Sequence, residues 1–351
     1  MTETVTRHIS VRTLVAIAAV MTVFALVACS ESPTSSPVAS SAVPLTTTAD
    51  QLEPTSDVPS NDPVATLMPV PAMVDYTEVE NWSSANTPGI EWANPNGIAI
   101  DSDDNVYTTE FMGNRIRKFS PDGEMLLEWG GPGSRLFKAP TGVAVGPEGN
   151  IFISESGGHH VQKFTPNGEW LLTLGSHGDG EGQFNSAMVL TISDDGLVYV
   201  TDWGGGRISV FSTEAEFIET LSGRGQSPGE LSNPTGIKIG PDGNLWVVDR
   251  GNNRIQRFTR EGEFLSVWGE SGDAPGQFRT PTSINFDHNG NYFIAEFGGH
   301  RLQAFTPDGQ LIGELAPGTF MGPHGLAFDS TGALYATDTQ HNRIRKFVPS
   351  E

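Results

Sequence analysis

The chain has 351 residues with one cysteine, and 42 acidic side chains outnumber 20 basic ones to give a net charge of −22. So acidic a molecule repels nucleic acid and anionic lipid at long range, which excludes a general nucleic-acid binder. A single thiol excludes an intramolecular disulfide, so the folded part must be held by its core.

Arg7 and Arg12 precede an apolar run from Leu14 to Val27. That run has the length of a signal-peptide core and is short for a membrane span. It ends in LVAC, Leu26 to Cys29. The pattern resembles the bacterial lipoprotein signal: an apolar residue, two small or medium residues, then cysteine. In that family the cysteine is lipidated and becomes the first residue of the mature chain. The resemblance implies a signal peptide over residues 1–28, lipidation of Cys29 and attachment to a membrane at the bacterial cell envelope. Two or more acyl chains suffice for stable anchoring. An ordinary signal peptide with a chance cysteine is the alternative.

Residues 29–72 are rich in Ser, Thr, Pro and Ala, with no Lys, Arg or aromatic side chain. Such a segment cannot bury enough apolar surface to offset chain entropy, so a disordered tether is expected.

From residue 73 onward the chain repeats itself. Copies begin at Pro95, Pro140, Ser186, Pro234, Pro281 and Pro323, and the third is one residue longer. Each carries three short alternating runs, as in GIKIG, LWVVD and RIQRF, and a fourth run after a turn, as in GEFLSVWG. Period-two alternation reads as strands, and PDGN, PEGN and HNGN read as hairpin turns. Four strands per unit of this length is the pattern of a β-propeller blade. The last copy stops at Phe347 without its fourth strand, while VDYTEVENWSS precedes the first, with Trp82 where other blades have Trp129 and Trp268. An open ring leaves a bare strand edge, so the N-terminal strand is expected to complete the sixth blade. The expectation is an all-β, six-bladed propeller over residues 73–351.

The P-x-G-[IV]-x-[IV] start, the [DE]-x-x-x-N-x-R-[IV]-x-x-F end and the G-x-F linkers GEGQFNS and APGQFRTP resemble the NHL repeat family. The resemblance is specific for fold and weak for activity, since such propellers serve many functions.

An acidic residue recurs in every unit, as Glu110, Glu155, Asp202, Asp249, Glu296 and Asp338, and is assigned to the end of each third strand. A residue present in every copy serves the copy. These carboxylates are expected to bind turn amides or Arg115, Arg207, Arg254, Arg301 and Arg343, five positions on. His159 and His300 stand in the slot of Asn114, Asn253 and Asn342, and His160 takes the arginine slot of its blade. His177, His288 and His341 fall in predicted loops.

His324, in PHG before the first strand of its blade, differs. It is similar to one ligand of the peptidyl-α-hydroxyglycine α-amidating lyases, whose alternate blades supply three histidines to a catalytic zinc. Arg250 matches a functional arginine of those lyases. Thr235 and Thr141 stand where the other two histidines would, and one imidazole does not hold zinc tightly. The remaining blades offer Asn96, Ala187 and Thr282.

The expected ligand-binding surface is therefore the channel mouth: Asn96, Thr141, Thr235, Thr282 and His324, with Arg250 beside them. Phe111, Trp203 and Phe297 follow the repeated acid and either stack on a ligand or pack between blades. The function expected is that of a monomeric, lipid-anchored binding module for a protein, peptide or glycan. Two alternatives stay open. One is a metal-dependent lyase or hydrolase of the amidating-lyase or lactonase type, with calcium or zinc in the channel held by His324 or by carboxylates such as Glu110 and Glu296. The other is a scaffold in an envelope complex.

Overall fold

The alternating runs become strands in every unit, and each unit forms one four-stranded antiparallel sheet. The structure, a computed structural model, describes residues 76–83, 86–87 and 89–350. The signal sequence, Cys29, the tether and residues 73–75 lie outside the described residues. Blade 1 runs through Pro95–Ile100, Val106–Glu110, Arg115–Phe119 and Met125–Gly130, in that order from the channel outward. Blades 2 to 5 repeat the order, with innermost strands Pro140–Val145, Ala187–Ile192, Ile237–Ile239 and Pro281–Phe286. The repeated acid closes the second strand of each blade, not the third. The shift arises because the run assigned as second is the one that ends in the carboxylate, as in Val106–Glu110.

Blade 6 takes three strands from the C-terminal end, Pro323–Phe328, Leu334–Asp338 and Arg343–Pro349, and its outermost strand, Tyr76–Ser83, from the N-terminal side. Trp82 pairs with Ile344 as Trp129 pairs with Ile116 and Trp268 with Ile255. The register expected from the tryptophan positions is the one observed, and the sixth sheet has four strands like the other five.

Each pair of adjacent blades shares one apolar core, including the pair that closes the ring. There Trp82, Ala327 and Tyr335 of blade 6 pack on Ile98, Val106 and Phe119 of blade 1, with Trp92 against Phe119. Alternation along a strand sends successive side chains to opposite faces of the sheet, so each blade supplies one face to each neighbour.

The repeated acid is a structural clamp. All six carboxylates are buried. Glu110 accepts from Ala93 N–H at 2.7 Å and pairs with Arg115 at 3.0 Å; Asp249 accepts from Ser232 N–H at 2.7 Å and pairs with Arg254 at 2.7 Å. The same two bonds recur in the other blades, with His160 replacing arginine beside Glu155 at 3.0 Å. Each acid thus ties the loop entering its blade to the start of the third strand.

The asparagine slot has a conformational cause. Asn114, His159, Asn253, His300 and Asn342 all have φ between 49° and 61°, the left-handed region that Asn and His enter at low cost. Their side chains then reach the next blade: Asn114 Oδ1 accepts from Ala139 N–H at 2.7 Å and His300 Nδ1 from Gly322 N–H at 2.9 Å. His159 and His300 are blade-to-blade links.

Candidate functional site

The mouth is built by the first residues of the innermost strands, and its backbone is held by hydroxyls one blade back. Thr337 Oγ1 accepts from Gly325 N–H at 2.7 Å and donates to Asn96 O of the next blade at 2.9 Å. Thr109 does the same with Gly97 N–H and Thr141 O, both at 2.8 Å. Thr201 Oγ1 donates to Thr235 O at 2.6 Å, and Ser154 Oγ donates to Met188 O. The P-x-G motif follows from this closeness. A Cβ on Gly325 would stand 2.5 Å from Asn96 O, and one on Gly142 would stand 2.7 Å from Met188 O, so only glycine fits.

Six equivalent positions form the inner ring: Asn96, Thr141, Met188, Thr235, Thr282 and His324. Met188 replaces the expected Ala187, because Ala187 pairs with Asp202 as Pro140 pairs with Glu155. The extra residue of the third unit had hidden this offset. The three threonines do not offer their hydroxyls to the mouth as expected. Thr141 Oγ1 donates to Ala139 O at 3.1 Å, Thr235 Oγ1 to Pro281 O at 3.4 Å, and Thr282 Oγ1 to Pro323 O at 3.1 Å. All three are buried between blades and their donors are spent on carbonyls.

Asn96 and His324 remain. Asn96 Oδ1 is enclosed and has no hydrogen-bond partner among the described residues. His324 is 7 % exposed. Burial pulls its imidazolium pKa down to about 3, and the nearby Arg250 charge pushes the same way, so the ring is neutral at physiological pH.

A second ring, formed by the residue after each repeated acid, lies beside the first: Phe111, Ser156, Trp203, Arg250, Phe297 and Thr339. Phe111, Trp203 and Phe297 are half-buried, so each keeps part of its ring open. Thr339 Oγ1 is bonded to Pro95 O at 2.7 Å. Arg250 opens a short 3₁₀ turn, Arg250–Asn252, and its guanidinium lies 5.9 Å from the Phe297 ring centre. It forms no ion pair among the described residues, and burial lowers its pKa from the usual arginine value. Phe297 rests against Gly322, whose φ of 60° and missing Cβ make room for the aromatic edge.

The donor set does not fit a metal. Two of the three positions that would carry zinc ligands are threonines, and no group of three metal-binding side chains exists among the described residues. Glu110 and Glu296, the oxygen-ligand alternative, point into clamps rather than the channel. Burial pushes the Glu296 carboxyl above the usual range, opposed by Arg301 and the Arg279 N–H. Of the exposed histidines, His177 lies against His159 with ring centres 4.2 Å apart, His341 sits 2.9 Å from Asp338, and His288 lines the channel on the hairpin after Phe286.

The chain matches the Virginiamycin B lyase family over residues 91–347. It belongs to that family. Every residue of both rings lies inside the matched span. No curated relative matches the chain by sequence. Among solved structures, a streptogramin B lyase aligns at 19 % identity and a TM-score of 0.59, covering 80 % of this chain and 99 % of that one. A catalytically inactive variant of virginiamycin B lyase from Staphylococcus aureus, solved with quinupristin, aligns at 21 % identity and a TM-score of 0.56, covering 74 % and 82 %. A gluconolactonase from Xanthomonas campestris aligns at 18 % identity and a TM-score of 0.59, covering 74 % and 87 %. At these identities the likeness is one of fold.

Proposed function

We propose that this family member is a binding module whose ligand docks on the channel mouth between Arg250, His324 and Asn96. The observation behind this reading is that, on the two adjoining rings, Asn96 Oδ1, the His324 ring and the Arg250 guanidinium have no hydrogen-bond or ion-pair partner among the described residues, and Arg250 is close enough to act on the His324 charge, whereas the neighbouring threonines are satisfied. Buried polar groups without partners are costly, and a ligand that bonds them recovers that cost. A guanidinium favours a carboxylate or a strongly polarised carbonyl. The neutral His324 ring offers one donor and one acceptor, and Phe111, Trp203 and Phe297 offer apolar faces. A peptide or depsipeptide carrying an aromatic ring and a carbonyl or carboxylate group has this chemistry.

The test is calorimetric binding of quinupristin and of short aromatic peptides with free carboxylates. Arg250→Ala is expected to weaken the best binder by about tenfold to a hundredfold, the range for a charged hydrogen-bonding partner. A panel in which no member separates wild type from Arg250→Ala would sink the reading.

Family membership favours a second reading, a lyase. A base with a conjugate-acid pKa near 3 is weak, because proton transfer is most efficient when the pKa lies near the working pH. Binding is therefore placed first. Mass spectrometry after long incubation separates the readings. A lyase leaves new chromatographic species whose masses together equal the substrate's, a ring-opened cyclic substrate being a single isomer with a new retention time and fragmentation pattern. A hydrolase adds one water. A binding module returns the ligand with mass, retention and fragmentation unchanged.

We also propose that the propeller is displayed at the bacterial cell envelope by lipid on Cys29. Support comes from the sequence of residues 1–29. Cys29→Ser is expected to move the protein from the membrane fraction to the soluble fraction. Retention of the variant in the membrane would count against lipidation.

A further inference from the structure

The central channel encloses about 450 Å³, and its far end differs from the mouth. The innermost strands end there in Ile100, Val145, Ile192, Ile239, Phe286 and Phe328, one apolar side chain from each blade. All six are half-buried, packed on an inter-blade core on one side and lining the channel on the other. One residue inward from Ile239 is Lys238, in register with Trp246 of the adjacent strand. The equivalent residues of the other blades are Ala99, Ala144, Thr191, Asn285 and Ala327, so Lys238 is the charged member of its ring.

The Lys238 amine forms no hydrogen bond or ion pair among the described residues. Desolvation lowers its pKa, and no carboxylate lines the channel to oppose that. The hairpin acids near this end are turned into their own turns: Asp242 accepts from Trp246 Nε1 at 3.1 Å, and Asp287 from Asn291 N–H at 2.8 Å. Asn285 is spent as well, donating to Leu326 O at 2.8 Å and accepting from Phe286 N–H at 2.8 Å. The Lys238 amine thus stands beside an apolar collar, in a channel whose walls are the free edges of six strands and whose other ionisable lining side chains are His288 and His324.

We propose that the end of the channel remote from His324 binds a small organic carboxylate with a short aliphatic tail. The carboxylate head pairs with the Lys238 ammonium and the tail lies in the collar of six apolar side chains. The head pairs a half-buried, partly desolvated ammonium that has no opposite charge, and the tail removes apolar surface from water. A metal cation is disfavoured in the same space by the lysine itself.

Reductive dimethylation of the full-length protein, read at single lysines by peptide mass spectrometry, tests this directly. Hexanoate is expected to slow modification of Lys238 while leaving Lys118, which pairs with Asp101 at 3.3 Å, unchanged. Acetate should protect less, with affinity rising about threefold to fourfold for each buried methylene. Chloride at equal ionic strength and hexanol should protect least. Protection by chloride equal to that by hexanoate would mean a simple anion site, and equal protection by hexanol an apolar pocket with no role for charge. Either result overturns the proposal, as does no protection at all. Calorimetric titration of Lys238→Met with hexanoate is expected to show binding lost, and wild-type affinity in that variant would also overturn it.

Discussion

His324 gains no partner on folding and loses its water, and that sets a pH dependence. Its folded pKa, about 3, lies below the unfolded value of 6.5, so between these the unfolded chain binds the extra proton. Stability therefore falls as pH drops below 6.5, by up to about 1.4 kcal/mol per pH unit from this residue alone. His324→Gln should flatten the acid limb of a plot of urea midpoint against pH, relative to wild type. Parallel limbs would show that His324 is not buried as described. His324 drew notice in the sequence because it departs from its repeat, and Arg250 because it matches an arginine of the amidating lyases. The threonines misled because repetition reveals a position, not the direction in which its hydroxyl points. The partner of Thr282 Oγ1 lies 41 residues away, on another blade. Lys238 also departs from its repeat, but its lack of an opposite charge is visible only once six strands surround it.

Within a blade, the residue before the repeated acid decides how the innermost strand is joined. Thr109, Ser154, Thr201 and Thr337 insert a hydroxyl between strands, and the ladder skips there, as between Pro95 and Ile98. Blade 4 has Val248 at this position, and its backbone closes the gap directly, with Val248 N–H on Gly236 O at 2.8 Å. Blade 5 has Ala295, which pairs with Ser283. Thr337→Val is expected to cost about 1–3 kcal/mol in chemical denaturation, because it leaves Gly325 N–H and Asn96 O buried and unbonded. Thr337→Ser should cost far less. A Val variant as stable as wild type would mean that the backbone re-forms as in blade 4. Strand count and turn positions were readable from period-two runs and glycine-bearing turns. The skipped ladder was not, since a threonine in a strand reads the same whether it faces solvent or bridges two blades.

At the scale of the ring, closure rests on one strand of eight residues, Tyr76–Ser83, and on the tryptophan near its end. Trp82 is buried against Phe119 at 5.2 Å and Tyr335 at 5.7 Å, so it serves the seam between blades 6 and 1. Trp82→Ala is expected to cost about 3–5 kcal/mol and to raise concentration-dependent association above that of wild type, since a loosened seam exposes the edge of Arg343–Pro349. A variant with unchanged melting temperature and no more association than wild type would show that the seam is held elsewhere.

That seam also imposes an order in time. Glu78 and Arg345 meet across 267 positions of chain. At about 5–20 residues per second, a ribosome makes the first partner about 15–50 seconds before the second. Throughout that interval Tyr76–Ser83 has no strand to join, and one face of blade 1 has no neighbour. The first part of the propeller to be synthesised is thus the last to be secured, and the nascent chain must be shielded most at its beginning.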